Sequence, residues 1–551
     1  MTLSAHARAT RAAATALSLL LAPFCEAAAQ STPTYARAVD SVFAHLNRSD
    51  APGCVVGISE RGVPQYIRGY GMADLQHRVA LSPDAIFHVA SVSKQVTAFA
   101  VGLLAERGQL SLDDDVRKFI PELPEYGAPI TVRQLIQHTS GLRDQWTLLT
   151  MSGWRFPSDL ITERDVMQVV TRQRALNFRP GDEYLYSNSG YTLLAVIVQR
   201  VSGQSLRDFA HKEFFAPLGM HDTHFHDDFQ MIVPGRTSAY EPGALGWRIS
   251  IPTFSTYGAT SLFTTAGDLL TWMAMLDTPP APLASLARNG QTSGRLNDGT
   301  PTNYGYGLTL NTWRGTRAVG HGGSDAGYRA QVERYPEHGV AVAVLCNASN
   351  AGPGPLARST AERVLGDRLP RELVEARAPE HRPAPTARAR WVGTYRDTVA
   401  QNILRVTSRG DSLYANGGRL QLGSDTTATT SNMDGWYSLQ PRGEQTTIRV
   451  NPRGLRQVTF VRQAEPLAAR AQYAGAYTSD ELQMRYTIAV VDSQVVLSRP
   501  KYPDVTLQAA GRDVFSTPQF TLVFTRDRAQ RITGFSLSAG RVRNVSFVKT
   551  P

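Results

Sequence analysis

The C-terminal third of the sequence contains two copies of one β-rich pattern. WVGTY at Trp391 to Tyr395 recurs as YAGAY at Tyr473 to Tyr477, 82 residues later. RQVTFVR from Arg456 recurs as RNVSFVK from Arg543, 87 residues later. Between these ends, short runs of alternating apolar and polar residues are separated by turns that contain glycine, which is typical of antiparallel meanders and barrels. The repeat therefore predicts two small antiparallel, barrel-like β units.

A change of composition separates this repeat from the rest of the 551 residues. The stretch Ala378 to Arg390 is rich in Pro, Ala and Arg and has no periodicity, as expected of a linker. Before it, strand patterns lie at both ends of a long helix-rich segment, which predicts an α+β domain whose first and last strands share one sheet. The predicted boundaries are a catalytic domain at 30–377, a linker at 378–388, and β repeat units at 389–463 and 467–551.

The N-terminus has the composition of an export signal. Arg8 and Arg11 precede an apolar run from Ala12 to Phe24, and Ala27-Ala28-Ala29 provides small residues at a cleavage site. We therefore predict a signal peptide at 1–29 and a periplasmic or secreted protein. The apolar run is too short to cross a bilayer and no later run approaches about 18 apolar residues, so no integral membrane segment is expected.

The net charge of +10 does not indicate a nucleic-acid partner. The arginines are spread through all regions, and no dense basic block or aromatic and basic motif accompanies them. The charged fraction of 19% and hydrophobic fraction of 42% are ordinary for a globular enzyme.

Lys94 is unusual because this chain contains 52 Arg and only 5 Lys. Arginine stays protonated in proteins, whereas a buried lysine can lose its proton and act as a base. Ser91 precedes Lys94 by three positions in a segment with helical periodicity, so the two side chains share one face. The alternative interpretation is a serine N-cap beside a solvated lysine.

Two further polar motifs lie in the same predicted domain. YSNSGY contributes Tyr186 and Asn188 just before an apolar helix pattern at Leu193 to Val201. GHGGSDAGY, from Gly320 to Tyr328, is predicted at the start of a strand. Each motif alone is more often a turn than a site. Their order, S-x-x-K, then Y-x-N, then H-x-G, is the informative feature.

With these motifs, Thr34 to Leu369 resembles the serine β-lactamase and penicillin-binding-protein superfamily. HTSGL at His138 to Leu142 and PLGM at Pro217 to Met220 add to the resemblance. The similarity is to the class C-like branch, which includes D-aminopeptidases, D-alanyl-D-alanine carboxypeptidases and esterases. It implies a β-lactamase-like fold, an antiparallel sheet flanked by helices.

The resemblance also implies roles for individual residues. Ser91 would be the acylated nucleophile, Lys94 would accept its proton, and Tyr186 would act as general base and then acid. Asn188 would bind the substrate. The backbone N–H groups of Ser91 and Ser324 would form the oxyanion hole.

The sequence departs from the β-lactamase pattern at His321, Gly322 and Gly323, which stand where β-lactamases carry K-T-G. We include His321 and Gly323 among the substrate-binding residues. The missing lysine and threonine argue against strong β-lactamase activity. They also predict a preference for substrates without a carboxylate beside the scissile bond, because a neutral histidine does not grip an anion.

These inferences predict an exported serine hydrolase that acts through an acyl-enzyme on amide or ester bonds of a small-molecule or short-peptide substrate, such as a D-amino-acid derivative. The alternatives left open are an esterase, a weak β-lactamase, a D-Ala-D-Ala carboxypeptidase and a non-hydrolytic penicillin-binding sensor or scaffold. No cofactor is expected. The cluster of His221, His224, His226, Asp227 and Asp228 has metal-like spacing, but it is interpreted as a surface loop and no metal is predicted.

Two structural questions stay open. Cys54 and Cys346 each lie in an apolar strand pattern, as buried thiols would. The resemblance places these strands antiparallel, so the two sulfur atoms could also form a bridge. The β repeat units are expected to restrict access to the cleft without contributing catalytic groups, because all three motifs precede the linker.

Overall fold

A computed structural model describes residues 32–370, 381–430, 435–442, 445–452, 457–464 and 470–550. The predicted signal peptide lies outside these residues, as does the first part of the predicted linker. Within the described ranges, no helix is both long enough and apolar enough to span a bilayer.

The N-terminal domain is α+β, as predicted. Its helices are α1 Ala36–Phe43, α2 Ser93–Glu106, α3 Val132–Ile136, α4 Gln145–Met151, α5 Glu163–Thr171, α6 Asn188–Ser202, α7 Leu206–Ala210, α8 Ala216–Leu218, α9 Ala266–Asp277, α10 Ala284–Gly290 and α11 Pro353–Leu365. Its strands are β1 Cys54–Glu60, β2 Val63–Tyr70, β3 Met72–Asp74, β4 Val79–Ala80, β5 Phe87–His88, β6 Ile161–Thr162, β7 His224–Phe225, β8 Tyr240–Gly243, β9 Gly246–Ile249, β10 Phe254–Ser255, β11 Leu262–Thr264, β12 Thr309–Trp313, β13 Thr316–Asp325, β14 Tyr328–Tyr335 and β15 Val340–Cys346.

Six of these strands form the central sheet in the order β12-β13-β14-β15-β1-β2. The first and last strands of the domain, β1 and β15, are antiparallel neighbours, which confirms the prediction that they share one sheet. Both are buried along almost their whole length, so their side chains are apolar on both faces and not only on one. Helices α1 and α11 cover one face of the sheet, and α9 with the large helical region covers the other.

The two strands are also joined covalently. Cys54 and Cys346 are directly opposite in the β1–β15 register and form a disulfide that links positions 292 residues apart. Of the two interpretations left open by the sequence, the bridged one is therefore the one that the structure shows.

The H-x-G motif is placed differently from the prediction. His321 to Ser324 lie near the end of β13, and β14 begins at Tyr328 after a short turn. The glycines suggested a turn before a strand, but they lie inside the strand. Glycine is required there because neighbouring atoms leave no room for a Cβ. A Cβ on Gly323 would lie 2.1 Å from the carbonyl oxygen of Val89, and one on Gly320 would lie 2.0 Å from that of Val332.

The repeat units are two closed eight-stranded antiparallel barrels, which confirms the predicted fold class. The first barrel contains β16 Gly393–Asp397, β17 Ile403–Arg409, β18 Ser412–Ala415, β19 Gly418–Leu422, β20 Thr427–Thr430, β21 Gly435–Arg442, β22 Gln445–Pro452 and β23 Val458–Arg462. The second contains β24 Gly475–Ser479, β25 Met484–Val491, β26 Gln494–Ser498, β27 Val505–Gly511, β28 Val514–Ser516, β29 Thr521–Arg526, β30 Ile532–Ala539 and β31 Val542–Thr550. Part of the stretch predicted to lack periodicity is helical, since α12 Pro385–Trp391 precedes the first barrel.

The two barrels relate differently to the catalytic domain. The core of the first barrel is a separate apolar cluster built around Trp391 and Tyr395. The core of the second barrel is continuous with the helical core of the catalytic domain. At this junction the buried hydroxyl of Tyr486 donates to the carbonyl oxygen of Met151 at 2.7 Å. The second barrel is thus packed directly against the domain that carries the predicted site.

Candidate active site

The nucleophile motif occupies a sharp turn. Ser91 lies in the 3-10 segment Ala90–Val92, immediately before α2, and its side chain is only partly buried. Ala90 has a φ of +49°, in the left-handed region that a non-glycine residue rarely adopts. This strained residue directly precedes the serine, and the turn presents the Ser91 hydroxyl to a cleft instead of capping α2.

Lys94 is completely buried, which rules out the solvated lysine that was the alternative interpretation. Its Nζ lies 3.2 Å from Ser91 Oγ, 2.9 Å from Asn188 Oδ1 and 2.5 Å from the carbonyl oxygen of Ala259. Burial lowers the pKa of Lys94 to about 7, against opposing attraction from Asp144 and Asp325. A neutral amine can donate to the Asn188 and Ala259 oxygens and still direct its lone pair at the Ser91 hydroxyl.

Tyr186 lies partly buried beside this pair. Its ring centroid lies 4.8 Å from Lys94 Nζ, and among the described residues its hydroxyl has no hydrogen-bond partner of normal geometry. Burial raises the pKa of Tyr186 well above that of a free phenol, although Ser91 and Arg541 partly oppose the rise. The phenol therefore keeps its proton at neutral pH, so of the two roles that the resemblance implies, the acid is the one that this environment favours.

Asn188 is the first residue of α6, so it is part of the helix that was predicted to follow it. Asp144 fixes this residue, because its Oδ2 accepts from both the backbone N and the Nδ2 of Asn188 at 2.8 Å. With Nδ2 held in this way, the amide oxygen points at Lys94. Asp144 follows HTSGL by two residues, and that proximity was the only signal in the sequence that could have identified it.

His321 and Gly323 lie behind the cleft and not on its surface. His321 is buried, and its Nε2 is 2.9 Å from the hydroxyl of Tyr304. Burial, helped by the charge of Lys94, lowers the pKa of His321 to about 4, so the ring is neutral. Gly323 packs against the carbonyl of Val89 and so allows β13 to approach the nucleophile turn.

The residues around the open space define a cleft of about 310 Å³. It is lined by Ser91, Asp144, Trp146, Thr147, Tyr186, Asn188, Thr260, Ser324, Asp325, Gly540 and Arg541. Sequence reasoning identified four of these as site residues: Ser91, Tyr186, Asn188 and Ser324. Ser324 faces the same cleft as Ser91, as an oxyanion-hole partner must.

Asp325 and Trp146 form further parts of the cleft wall. The Asp325 carboxylate contacts Thr260 and His88. Its Oδ2 accepts from Thr260 at 2.5 Å and lies 3.1 Å from Nε2 of the buried His88. Trp146 packs against Phe254 with ring centroids 5.2 Å apart, which makes that wall aromatic.

The second barrel also contributes to the cleft wall, a position from which it can restrict access as expected of the β units. Gly540 and Arg541 form the turn between β30 and β31, and the Arg541 guanidinium lies 4.9 Å from the ring centroid of Tyr186. Its Nη1 is 3.4 Å from Asp144 Oδ2. No local pattern in the sequence indicates that this turn reaches the site.

The histidine-rich segment after PLGM is explained by packing. The rings of His224 and His226 lie 5.6 and 4.5 Å from the ring of Phe263, and Asp227 pairs with Arg207 at 2.6 Å. Among the described residues, no group of three or more His, Cys, Asp and Glu side chains is arranged to hold a metal ion.

Comparisons with known proteins place this chain among hydrolases of one family. The family model for Beta-lactamase matches residues 39–367. A D-aminopeptidase from Brucella canis is 27% identical over 529 residues, which cover 90% of this chain and 95% of the relative. The octameric penicillin-binding protein homologue from Pyrococcus abyssi has the same fold, with a TM-score of 0.52 and 23% identity over 85% of this chain and 98% of the other. The D-amino acid amidase from Ochrobactrum anthropi SV3 has a TM-score of 0.51 and 20% identity over 61% of this chain and 99% of the other.

Proposed function

Because this chain belongs to the beta-lactamase family and is a serine hydrolase of amide or ester bonds, we propose that its substrates are D-amino-acid derivatives cleaved at an amide bond. The observation that carries the proposal is the extent of similarity to D-aminopeptidases. A match to 90% of the chain extends beyond the catalytic domain into the barrels, and the second barrel forms part of the cleft.

The proposed reaction begins at Ser91. Neutral Lys94 removes the hydroxyl proton, and Ser91 Oγ attacks the substrate carbonyl to form a tetrahedral intermediate. The backbone N–H groups of Ser91 and Ser324 stabilise the negative oxygen. Tyr186 donates its proton to the leaving nitrogen. Lys94 then transfers the proton it took from Ser91 to the Tyr186 phenolate, so both side chains are neutral again. A water molecule then releases the acyl group by the same route in reverse order.

Stereochemical preference tests the substrate class. We expect kcat/KM for D-alanine p-nitroanilide to exceed that for the L enantiomer at least tenfold, with Ser91→Ala inactive on both. Comparable rates on the two enantiomers, or hydrolysis of p-nitrophenyl esters with none of the anilides, would contradict the assignment and favour an esterase.

We also propose that the protein is exported. The leader-like composition of residues 1–29 supports this, and so does the Cys54–Cys346 bridge, because disulfides persist in oxidising compartments. Expression of the full sequence in a bacterium and intact mass measurement on the periplasmic fraction test it. A protein that begins at Gln30 is expected, and an unprocessed chain found only in the cytoplasm would contradict the proposal.

A further inference from the structure

Arg541 is a positively charged side chain that the second barrel places in the catalytic cleft. It lies in the turn from β30 to β31, lines the cleft together with Ser91 and Ser324, and keeps 43% of its side chain exposed. Its guanidinium is 4.9 Å from the ring centroid of Tyr186. In the proposed reaction Tyr186 protonates the leaving group, so Arg541 lies beside the leaving-group part of a bound substrate.

The turn that carries Arg541 is held firmly against the catalytic domain. The backbone carbonyl oxygen of Arg541 accepts from Asn177 Nδ2 at 2.9 Å. Asn177 Oδ1 in turn accepts from the backbone N of Arg543 at 2.8 Å. The guanidinium of Arg543 pairs with Glu183 through both of its terminal nitrogens. A side chain on an anchored turn has a defined position, as a substrate-binding residue requires.

Arg541 also provides a positive charge that the catalytic domain does not supply to the cleft wall among the described residues. The strand that faces the nucleophile carries His321, which is buried and neutral, and Lys94 is enclosed with its nitrogen engaged by three oxygens. Of the described residues that line the cleft, Arg541 is the one with a permanent positive charge. The predicted preference for substrates without a carboxylate was based on His321 and Gly322, and it did not include a cation from a barrel.

The Arg541 guanidinium has more N–H donors than it uses in hydrogen bonds to the described residues. Its one hydrogen bond to a described residue is the 3.4 Å contact with Asp144 Oδ2, an oxygen that already accepts two shorter bonds from Asn188. The other carboxylate in the cleft, Asp325, is occupied by Thr260 and His88. Most of the five N–H donors of Arg541 therefore have no hydrogen-bond partner among the described residues, and their planar arrangement matches a carboxylate.

We propose that Arg541 is a specificity-determining residue that binds a carboxylate on the leaving group, so that the preferred substrates are peptides with a free C-terminal carboxylate next to the scissile bond. This inference rests on the proposed hydrolysis of D-amino-acid amide bonds and narrows it. It also reverses the preference that the sequence motif predicted.

The test compares two substrates that differ only in this charge: D-alanyl-D-alanine and its C-terminal amide. Wild-type protein is expected to cleave the acid with a kcat/KM at least tenfold above that of the amide, which corresponds to about 1.4 kcal/mol. At about pH 9, where Lys94 is neutral in both proteins, Arg541→Gln should lose at least tenfold on the acid, mainly through KM, and change less on the amide. Arg541→Lys should retain part of the preference.

The matched control is Arg531→Gln, which removes an exposed arginine of the same barrel that pairs with Asp527 outside the cleft. It should leave both rates unchanged. An equal loss on acid and amide in Arg541→Gln, or a wild-type preference for the amide, would overturn the proposal.

Failure of the proposed function would be seen separately, as a wild-type protein that cleaves neither dipeptide. In that case acylation of Ser91 by penicillin G and by its methyl ester is compared, because these also differ by one carboxylate. A faster reaction with the acid that disappears in Arg541→Gln would support the role of Arg541, and equal ratios in wild type and variant would reject it.

Discussion

The chemistry of this site depends on the protonation state of one residue, Lys94. The side chain is fully buried, and the nearest groups of opposite charge, Asp144 and Asp325, do not restore the hydration that it loses. Removing an ammonium group from water favours the neutral amine. That amine lies 3.2 Å from Ser91 Oγ, where the proposed reaction requires a proton acceptor.

Lys94→Arg tests this role while keeping a positive charge in the sequence. Arginine cannot release its proton in a protein, so it cannot activate Ser91. We expect kcat/KM to fall by about a thousandfold or more, as when one partner of an activated nucleophile is removed. The measurement is single-turnover acylation, with Lys118→Arg on the exposed surface as the matched control. A variant that retained a tenth of the wild-type rate would be incompatible with a proton-accepting lysine.

The pH dependence of kcat/KM follows from the same environment. The pKa of Lys94 falls from 10.5 to about 7, so the amine becomes neutral as the pH rises through 7. Activity should therefore increase with pH on the acid side and level off above about pH 8. Burial is the main cause of this low pKa, and the charged groups that modify it are Asp144, Arg541 and Asp325. Arg541 lowers the pKa of Lys94, so Arg541→Gln should move the midpoint to higher pH. A flat profile between pH 5.5 and 8 would contradict the assignment.

At the scale of elements, the site requires that β13 lie against the turn that carries Ser91. Gly323 makes this possible, since a Cβ there would lie 2.1 Å from the carbonyl oxygen of Val89, two residues before the nucleophile. The next residue, Ser324, provides the second backbone N–H of the proposed oxyanion hole. A small separation of strand and turn would therefore move one donor out of reach.

Gly323→Ala should separate β13 from the turn, because the added methyl group would overlap the backbone carbonyl of Val89, which cannot rotate away as a flexible side chain can. We expect kcat to fall about a hundredfold, the effect of losing one oxyanion donor. Gly322→Ala is the matched comparison, since its Cβ would meet only the end of the Gln331 side chain, at 2.9 Å. That variant should lose less than tenfold. Equal effects in the two variants would show that the approach of β13 is not what positions the donor.

The same elements show what the sequence could predict. The strand patterns that end at Cys346 and begin at Cys54 are long and apolar, so their place in one sheet followed from local hydrophobicity. The proposed catalytic residues Ser91, Lys94 and Tyr186, and the proposed substrate-binding residue Asn188, were predicted from motif order. The position of His321 inside β13 was not predicted, because the neighbouring glycines are required for close packing but resemble turn residues in the sequence. The chemical consequence, a buried and neutral histidine, depends on contacts with Tyr304 that no local pattern contains.

At the scale of the whole molecule, the catalytic domain and the second barrel are one structural unit. Their apolar cores are continuous, and the cleft contains residues from both. Arg541 and Asp144 meet in the cleft although they are 397 positions apart, so only the three-dimensional fold could reveal the contact. The repeat predicted that two barrels exist, but it carries no information about which surface each one covers.

A buried ion pair holds the two parts together. Arg143 is almost fully buried and donates to Glu481 at 2.6 Å, to Gln173 Oε1 at 2.9 Å, and to the carbonyl oxygens of Arg543 and Asn544 at 3.0 Å. Glu481→Gln leaves that guanidinium without a counter-charge inside the interface. Loss of one partner of a buried pair typically costs about 3–5 kcal/mol.

We therefore expect Glu481→Gln to lower the free energy of unfolding by about 3 kcal/mol in urea titrations, and to lower kcat/KM because the turn with Arg541 is less firmly held. Glu125→Gln removes the partner of an exposed arginine, Arg117, and should cost less than about 1 kcal/mol. An unchanged unfolding curve for Glu481→Gln would mean that the barrel is not held by this contact.

Ser91 is the residue that the proposed reaction acylates, and peptide mass spectrometry after reaction with a fluorophosphonate tests this most directly. The probe mimics the tetrahedral intermediate and is not readily hydrolysed from the enzyme, so the adduct accumulates. We predict one adduct per chain, located on Ser91, absent from Ser91→Ala and formed about a thousandfold more slowly in Lys94→Arg. An adduct on a different residue, or no adduct on the folded wild-type protein, would contradict the account.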